Sequence, residues 1–465
     1  MYQLDLSRHY AGKILLRQEI LLDEDKLQQL LQKGNFQTIP SINKRNLKYQ
    51  CERCGNHKQS LFANIPCYKC KSTHRYCRKC IDMGRVLECE SMYVWTGEKP
   101  KWDHYENPCS WQGKLTIAQQ KAANRMVEAI KQEEKELLIW AVCGAGKTEM
   151  LFPGITEALK QGKRICMATP RADVVRELLP RMQHAFEDVP IQALYGGSET
   201  KEGTAQFLIA TTHQLLRYKD AFDLLVIDEV DAFPFHADQS LPYAANRAKK
   251  ARSTTIYLTA TPRKNHVRRM KRKNLPHVFV PIRFHGYPLP IPKKQISFSI
   301  KKDLEKNRVP KAFINWMNHR KVPDRQLLIF VPTIKLAKNM IAAFTKLLYS
   351  NGWIESENMI ASVHADDEER EEKVQQFRNK ETTVLVTTTI LERGVTFPSV
   401  DVAILDAGHI VFDEAALVQI AGRAGRSVDD PTGEVIFFHD GKTNAMEMAI
   451  ESIKAMNKRG GFSKA

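Results

Sequence analysis

The chain has 465 residues, of which 43% are hydrophobic and 26% charged, and its formal net charge is +17. These proportions are ordinary for globular proteins, and the length allows two or three domains, each with its own core. No apolar run reaches the ~18 residues of a membrane span, so the composition excludes a membrane-spanning class. The N-terminus also lacks the basic and apolar pattern of a secretion signal. We therefore expect a cytoplasmic protein with no transmembrane segment of its own.

The N-terminal part of the sequence divides by composition into two segments. Residues 1–48 are polar and are predicted to form a partly helical arm, because leucines recur there at helical spacing. These leucines are Leu22, Leu27, Leu30 and Leu31. Residues 49–111 are cysteine-rich and are predicted to form a zinc-binding module followed by a connector.

Three Cys-x-x-Cys pairs lie in the second segment: Cys51/Cys54, Cys67/Cys70 and Cys77/Cys80. Ten cysteines in a cytoplasmic protein favour metal binding over disulfides. Thiolates two residues apart can share one tetrahedral Zn²⁺, and a second pair completes the site. The first pair is separated from the second by 12 residues and from the third by 22, and both spacings are workable. The spacing therefore predicts a structural zinc site and leaves the choice of its second pair open.

The remaining sequence alternates strand-like and helix-like segments over residues 112–290 and again over 291–465. This alternation predicts a parallel α/β sheet in each region. In the second region, strands are predicted at Leu327–Val331, Thr383–Thr387 and Val402–Leu405. Prolines recur between the regions, at Pro281, Pro288, Pro290 and Pro292. They predict a linker, because proline fits neither a helix interior nor a central strand.

A glycine-rich turn follows the short apolar strand predicted at Leu137–Trp140. It comprises Ala141, Val142, Cys143, Gly144, Ala145, Gly146, Lys147 and Thr148. Glycines allow successive backbone N–H groups to converge on phosphate oxygens. The Lys147 ammonium can then reach the outer phosphates, and the Thr148 hydroxyl can bind Mg²⁺. The turn predicts a phosphate-binding loop, followed by a helix over Met150–Leu159 whose N-terminus favours anions.

Two carboxylates, Asp228 and Glu229, end the next apolar strand, Val226–Ile227. If this strand lies beside the strand of the phosphate loop, Asp228 enters the Mg²⁺ shell directly or through water. Glu229 is then placed to orient and deprotonate an attacking water. The pair therefore predicts nucleotide hydrolysis.

Side chains before and after these carboxylates are further candidates for nucleotide contact. Gln119 lies upstream of the loop and offers a side-chain amide that can read adenine. The alternative is that its segment is a helix start with Thr116 as the N-cap. Thr259 and Thr261 end a predicted strand, where their hydroxyls can sense the state of the γ-phosphate.

The positive charge is concentrated in residues 239–302, which contain sixteen Lys and Arg and no Asp or Glu. A solvated basic face is the simpler interpretation of such a run. Sixteen cations without a counter-charge would repel one another, however, and a polyanion alongside them relieves that repulsion. The segment therefore favours nucleic-acid binding.

Two arginines, Arg423 and Arg426, end the segment that begins at Gln419 in the second α/β region. Because they are three residues apart, they are predicted to project from one helical face. Guanidinium groups match phosphate oxygens and can stabilise charge on a transferring phosphoryl group. Residues 387–396 precede them as a strand that runs into hydroxyls and a glycine turn. The arrangement predicts that nucleotide binds between the two α/β domains.

The ordered segments AxxGxGKT, DEVD, TATP and QxxGRxGR resemble those of superfamily 2 helicase and translocase motors. Ala is common at the first position of the loop in that superfamily, so Ala141 supports the resemblance. The resemblance covers roughly residues 112–440 and implies two tandem RecA-like domains, preceded here by the zinc module. It assigns the binding and hydrolysis of ATP to Gln119, Lys147, Thr148, Asp228, Glu229, Gln419, Arg423 and Arg426.

A cysteine module ahead of such a motor, with Tyr76–Cys80 followed by Met83–Arg85, resembles the ComFA family of late-competence proteins of Gram-positive bacteria. The resemblance implies an ATPase stimulated by single-stranded DNA that uses ATP, Mg²⁺ and Zn²⁺ and assists the uptake of transforming DNA. It further implies other competence proteins as partners at the inner face of the membrane. It also implies that the outer pairs bind zinc, through Cys51, Cys54, Cys77 and Cys80. The alternative is a PriA-like replication-restart or repair helicase, although PriA carries its cysteines within the motor region.

Overall fold

The structure is a computed structural model that describes residues 6–45, 48–198, 202–392 and 397–462. The chain divides into two units. The first contains residues 1–139 and 148–278, and the second contains residues 140–147 and 279–465. The division therefore assigns most of the predicted phosphate loop to the second unit.

Residues 6–95 of the first unit form short elements around a small apolar core. In chain order these are α1 (Leu6–Tyr10), β1 (Ile14–Leu15), α2 (Glu24–Gln32), β2 (Phe36–Ile39), β3 (Ile42–Arg45), β4 (Lys48–Cys51), β5 (Phe62–Pro66), β6 (Thr73–Cys77), β7 (Val86–Leu87) and β8 (Met92–Trp95). Asp23 caps α2 by accepting a hydrogen bond from the backbone N–H of Lys26 at 2.7 Å. Leu27 and Leu30 of that helix are buried with Phe36 of β2. The helical spacing of the leucines is therefore realised in α2.

The predicted boundary at residue 48 does not separate two parts of the fold. Strands β3 and β4 on its two sides pair as an antiparallel hairpin. Strand β8 pairs antiparallel with both β1 and β2. The predicted arm therefore shares a sheet and a core with the cysteine-rich segment, because non-local strand pairing joins them.

The rest of the first unit is built on a seven-stranded sheet with strand order β11-β12-β10-β13-β14-β9-β15. Its elements are α3 (Ile117–Lys131), β9 (Glu136–Ala141), α4 (Phe152–Lys160), β10 (Ile165–Thr169), α5 (Ala172–Ala185), β11 (Ile191–Leu194), β12 (Phe207–Thr211), β13 (Phe222–Ile227), α6 (Ser240–Ala248), β14 (Lys249–Thr259), α7 (Lys264–Lys271) and β15 (His277–Val280). The pairings β11–β12, β12–β10, β10–β13 and β13–β14 are parallel. Every residue of β10 and β12 is buried, as expected for strands covered on both faces.

The second unit contains a six-stranded sheet with strand order β16-β21-β20-β17-β19-β18, and all its pairings are parallel. Its elements are β16 (Lys293–Ile296), α8 (Ile300–Glu305), α9 (Lys311–Met317), β17 (Gln326–Phe330), α10 (Ile334–Ser350), β18 (Ile360–Val363), α11 (Arg370–Arg378), β19 (Val384–Thr387), β20 (Val400–Leu405), α12 (Glu414–Ala421), β21 (Val435–His439) and α13 (Asn444–Arg459). Residues 281–292 are all described and contain no helix or strand, as the prolines predict. Two parallel sheets in tandem match the predicted α/β architecture.

A buried ion-pair network holds the middle of the second sheet together. Asp401 on β20 is fully buried and accepts hydrogen bonds from Arg320 at 2.8 Å and from Arg325 at 2.9 Å. Both guanidinium groups are themselves at most 5% exposed. Removal of one partner from such a network leaves buried charge uncompensated.

We expect Asp401→Ala to destabilise the second unit by about 3–5 kcal/mol for this reason. Hydrogen exchange of the β17 and β20 amides measures the loss directly. Lys301→Ala is the matched control, because it removes an ion pair with Asp440 at 2.7 Å from an exposed site in the same unit. That change is expected to cost less than about 1 kcal/mol. Equal effects of the two substitutions would contradict the role assigned to Asp401.

Candidate functional site

The predicted phosphate loop turns directly after β9. Gly144 and Gly146 have φ angles of +77° and +65°, a conformation that residues with side chains rarely adopt. Lys147 is partly exposed and Thr148 is buried. A short 3-10 turn, Glu149–Leu151, then leads into α4. The backbone therefore has the form of a phosphate cradle, while nucleotide binding by Ala141–Thr148 stays a prediction.

Residues 140–147 pack within the second unit, against the end of α12. The Cys143 Sγ donates a hydrogen bond to the Gln419 Oε1 at 3.0 Å. A Cβ atom added at Gly422 would lie 2.4 Å from the Cys143 Cβ. The loop and the helix therefore approach so closely that position 422 accommodates only glycine without a shift. The structure thus brings together two predicted nucleotide-site residues, Cys143 and Gln419.

The prediction that Arg423 and Arg426 project from one helical face is wrong. Helix α12 ends at Ala421, and both arginines lie in the turn that follows. Gly422 caps the helix, and Gly425 has a φ of +63°, which a continuing helix does not allow. The Arg426 Nε donates to the Gly422 carbonyl at 2.9 Å. The two glycines of the motif thus place the arginines on a turn.

The turn also contacts neighbouring backbone and the segment that precedes it. The Arg423 guanidinium is almost fully buried, and its Nε donates to the Glu392 carbonyl at 3.1 Å. Within residues 387–396, Arg393–Thr396 lie outside the described residues. The contact to Glu392 therefore fixes Arg423 against the described part of that segment.

Arg283 supports the same turn and was missed by the sequence analysis. It is 1% exposed, and its guanidinium donates to the Ala424 carbonyl at 2.9 Å and to the Gly425 carbonyl. Burial, together with the nearby positive charge of Arg426, lowers the pKa of Arg283 to about 10. A lone arginine among prolines carries no local signal for this role, so the sequence analysis counted it only as part of the basic segment.

The predicted carboxylates follow β13 at the end of the first parallel sheet. The backbone N–H of Asp228 donates to the Ala168 carbonyl on neighbouring β10 at 2.8 Å. Glu229 has a φ of +52°, and its N–H donates to the Asp228 Oδ1 at 2.9 Å. Ligands of open α/β sheets bind outside the carboxyl ends of the strands. Asp228 and Glu229 occupy such an end, while their roles toward Mg²⁺ and water stay predictions.

A buried carboxylate, Asp231, connects this segment to the end of β14. The Thr259 Oγ1 donates to one carboxylate oxygen at 2.5 Å, and the Thr261 Oγ1 donates to the other at 2.6 Å. The Thr261 N–H also donates to the Thr259 Oγ1 at 2.9 Å. The two predicted sensors of the γ-phosphate are thus tied to the carboxylate segment. The sequence analysis included Asp231 in the DEVD segment but gave it no role, because it considered only the two carboxylates at the strand end.

We expect Thr261→Val to weaken this connection by about 1.5–3 kcal/mol, because it leaves a buried carboxylate oxygen without its hydroxyl donor. Hydrogen exchange across residues 256–262 measures the change. Thr255→Val on β14 is the control, since the buried Thr255 hydroxyl has no hydrogen-bond partner within the described residues. That substitution is expected to be neutral or stabilising. Loss of protection in both variants would argue against a specific role for the Asp231 bonds.

Gln119 lies at the start of α3 in the arrangement that the alternative interpretation describes. Its Oε1 accepts from the Thr116 N–H at 2.8 Å, and its own N–H donates to the Thr116 Oγ1 at 3.3 Å. This reciprocal pair is a capping box. The helix start is therefore present, and recognition of adenine by Gln119 stays a prediction.

The four cysteines of the outer pairs converge in the first unit. The sulfur atoms of Cys51, Cys54, Cys77 and Cys80 are buried and lie within 4.8 Å of one another. Two pairs are 3.8 Å and 3.5 Å apart, Cys51–Cys80 and Cys54–Cys77. Sulfur ligands bound at ~2.3 Å to one tetrahedral Zn²⁺ stand about 3.8 Å apart. The spacing therefore fits zinc, whose binding here stays a prediction.

The four thiols of the cluster form one hydrogen-bonded group. Their mutual hydrogen bonds, that of Cys51 first, lower the pKa of the Cys77 thiol and raise the pKa of the Cys54 and Cys80 thiols. The Asn56 amide also points at the Cys77 Sγ, at 3.8 Å. Cys67 and Cys70 do not belong to this group. Of the two choices left open by spacing, the structure therefore assembles Cys51/Cys54 with Cys77/Cys80.

The cysteine cluster packs directly against α6 of the first unit, a contact that the sequence did not indicate. Arg247 on that helix donates to the Glu52 carbonyl at 2.7 Å. A Cβ atom at Gly55 would lie 2.6 Å from the ring of Tyr243. Lys79 forms an ion pair with Asp238 at 2.5 Å. The cluster therefore supports the chain segment that follows the strand-end carboxylates.

Many cations of the basic segment, residues 239–302, are paired with other groups of the same chain. Five of its cations form ion pairs with distant carboxylates: Lys250–Asp223, Arg269–Glu136, Lys293–Glu434, Lys294–Glu447 and Lys301–Asp440. Three more, Arg247, Arg263 and Arg283, donate to backbone carbonyls. The argument that the whole segment needs an external polyanion is therefore wrong, because folding supplies partners from elsewhere in the sequence. Exposed cations remain around α7, at Lys264, Arg268, Lys271, Arg272 and Lys273.

Comparison with known proteins decides the family. Residues 1–94 match the family model of the Competence protein ComFA N-terminal domain. The chain is 45% identical over 455 residues to Competence protein ComFA of Bacillus subtilis (strain 168), covering 98% of this chain and 95% of that protein. The chain belongs to the ComFA family. Competence protein ComFA of Streptococcus pneumoniae (strain ATCC BAA-255 / R6) is 37% identical over 455 residues, covering 97% of this chain and 99% of the relative.

The ComFA-family chain also matches two motor models. Residues 112–264 match the Type III restriction enzyme, res subunit, and residues 307–428 match the Helicase conserved C-terminal domain. These matches confirm the prediction of a superfamily 2 motor. The protein is therefore an ATPase of the helicase type.

Two solved structures illustrate the similarity in fold. Dbp5 of S. cerevisiae, solved with RNA and ADP BeF3, gives a TM-score of 0.53 at 19% identity and covers 76% of this chain and 89% of its own. Helicase Lhr of Mycobacterium smegmatis, solved with ssDNA and AMP-PNP, gives a TM-score of 0.51 at 16% identity and covers 74% and 50%. At these identities the likeness establishes the fold alone. It confirms the predicted class of two tandem RecA-like domains.

Proposed function

We propose that this ComFA-family protein is an ATP-driven translocase on single-stranded DNA that assists the uptake of transforming DNA. Its similarity to Competence protein ComFA of Bacillus subtilis over 98% of the chain carries the proposal. The helicase-type ATPase supplies the motor that directional movement on a strand requires.

In this proposal the first half of the ATP site consists of the phosphate loop and the strand-end carboxylates. Lys147 reaches the outer phosphates, and Thr148 and Asp228 hold the Mg²⁺ that neutralises them. Glu229 orients the attacking water and accepts its proton. The backbone N–H groups of the loop bind phosphate oxygens without a side chain in the way.

The second half consists of the end of α12 and the turn beyond it. Gln419, Arg423 and Arg426 contact the phosphates, and the guanidinium groups stabilise charge that develops on the transferring phosphoryl group. Arg283 holds the turn through the carbonyls of Ala424 and Gly425. It acts in this proposal as a positioning residue.

Contact with the DNA strand is proposed for the exposed cations of α7. Lys264, Arg268, Lys271, Arg272 and Lys273 lie within ten residues and are all exposed. Cations that neutralise phosphates release condensed counterions, which makes binding strongly dependent on salt. A sequence-independent contact of this kind suits a motor that moves along any strand.

The proposed location is the cytoplasm, at the inner face of the membrane, with other competence proteins as partners. Within the described residues, every helix is too short or too polar to cross a membrane. Contact with the membrane is therefore proposed to run through those partners.

The proposal is tested by steady-state ATPase measurements without DNA and with single-stranded or duplex DNA. We expect single-stranded DNA to stimulate turnover by at least about 10-fold, since strand binding is coupled to hydrolysis in a translocase. Absence of stimulation would overturn the proposal. A strand-displacement assay separates translocation from unwinding, and robust unwinding would favour the PriA-like alternative.

The DNA contact is tested by triple charge reversal, Arg268→Glu, Lys271→Glu and Arg272→Glu. Each lost phosphate contact lowers the slope of log affinity against log salt by ~0.7, so the triple variant is expected to lower it by about 2. The control reverses three exposed lysines on α10, Lys335→Glu, Lys338→Glu and Lys346→Glu, with the same change in net charge. If both variants lowered this slope equally, DNA binding would depend on the net charge of the protein and not on a specific contact with α7.

A further inference from the structure

A second group of thiols lies outside the four-cysteine cluster. The sulfur atoms of Cys67, Cys70 and Cys89 lie within 4.8 Å of one another. The Cys67 and Cys89 sulfurs are 3.7 Å apart, although 21 residues separate them in the sequence. The sequence analysis left open whether Cys67 and Cys70 bind zinc and did not consider Cys89, which has no Cys-x-x-Cys partner.

Backbone geometry places the three sulfurs together. Strands β5 and β6 form a hairpin in which Pro66 pairs with Thr73, so that Cys67 begins the connecting turn. The Cys67 N–H donates to the Ser72 carbonyl at 2.9 Å, and Lys71 has a φ of +54°. This closed turn holds Cys67 and Cys70 at the tip of the hairpin. Strand β7 pairs with β6 and brings Cys89, two residues beyond its end, to the same tip.

A histidine lies beside one of these thiols, Cys70. The His74 Nε2 is 2.9 Å from the Cys70 Sγ, and His74 stands on β6 next to the turn. The Cys67–Cys89 separation of 3.7 Å matches the ~3.8 Å expected for two sulfurs on one tetrahedral zinc ion. Three cysteines and one histidine are one of the ligand sets that structural zinc sites use. We propose that Cys67, Cys70, Cys89 and His74 bind a second zinc ion.

The small sheet meets the apolar core of the first unit at the end away from the hairpin tip, through Phe62, Cys77 and Val86. No residue of β5 is buried, and β7 contributes only two residues. Small modules that cannot bury a sufficient core are commonly stabilised by a metal or by disulfides. Soft thiolate ligands select zinc over the hard cations Mg²⁺ and Ca²⁺. The ion would fix the hairpin tip and the end of β7, a role separate from that of the four-cysteine cluster at Cys77.

The experiment is zinc analysis of the full-length protein, purified with reductant and free of added metal. We expect two zinc ions per chain for the wild type and one for Cys89→Ser or for the double variant Cys67→Ser, Cys70→Ser. Cys109→Ser is the control, because Cys109 belongs to neither thiol group, and it should retain two. One zinc ion in the wild type, or two in Cys89→Ser, would overturn the proposal.

The fourth ligand is tested separately. His74→Ala is expected to weaken the second site by at least about 10-fold in zinc affinity, since loss of a ligand's hydrogen-bond partner alone costs ~10–100-fold. His74→Cys should restore the affinity, and cobalt loaded in place of zinc should then show the absorption of an additional thiolate. If His74→Ala bound zinc at the second site with wild-type affinity, His74 would not be a zinc ligand. Circular dichroism of each variant checks that the rest of the chain stays folded.

Discussion

Replacement of Lys147 by alanine is expected to lower the kcat of ATP hydrolysis by at least about 100-fold, both with and without single-stranded DNA. In the proposed site, the Lys147 ammonium offsets the charge that develops on the transferring phosphoryl group. Removal of one preorganised donor at a developing charge costs ~100–1000-fold in kcat. Steady-state release of phosphate at saturating ATP measures the change.

Two further variants separate the role of Lys147 from general damage. Lys160→Ala changes an exposed lysine at the end of α4, the helix that follows the loop, and is expected to leave turnover unchanged. Glu229→Gln is expected to retain ATP binding while losing turnover, because it removes the proposed base and leaves the loop intact. Turnover in Lys147→Ala within about 10-fold of the wild type would contradict the assignment of the loop.

The parts of the site that could be predicted from the sequence are those that local pattern determines. Apolar runs predicted the central strands, and β13 ends directly before Asp228 and Glu229, as expected. The spacing of Gly144 and Gly146 predicted the phosphate loop correctly in its backbone shape. Both residues have positive φ angles, which glycine adopts readily because it has no side chain. The proline-rich segment between the two sheets was predicted for the same local reason.

The parts that could not be predicted depend on contacts between residues far apart in the chain. Arg283 has no motif of its own, and the DEVD segment that Asp231 ends gives no sign of its bonds to Thr259 and Thr261. The roles of both residues appear only when the Gly425 turn and the end of β14 lie against them. Charge counting along the sequence missed Glu136 as the partner of Arg269, since Glu136 lies 133 positions earlier in the chain. The prediction that Arg423 and Arg426 share a helical face was wrong for a local reason. Gly422 caps the helix, and Gly425 has a positive φ angle.

The second large effect is expected from a substitution in the four-cysteine cluster. Cys77→Ser is expected to remove one zinc ion per chain and to weaken zinc binding at that cluster by more than about 100-fold. This estimate is a lower bound, because loss of a hydrogen-bond partner of a metal ligand already lowers metal affinity by up to ~100-fold. Cys77 ends β6, so its loss disconnects the small sheet from the cluster. Zinc analysis and hydrogen exchange of β6 and α6 measure the two consequences.

The packing of the cluster on α6 makes this prediction extend beyond the cysteines. Arg247 and Tyr243 hold the Glu52 carbonyl only while the Cys51–Cys54 turn keeps its shape. Because structural zinc contributes folding energy outright, exchange in α6 should rise together with exchange in β6. A zinc chelator added to the wild type should reproduce the change, and Cys109→Ser should not. Faster exchange in β6 with full protection of α6 would show that the cluster stabilises its own sheet and leaves the segment after Asp231 unaffected.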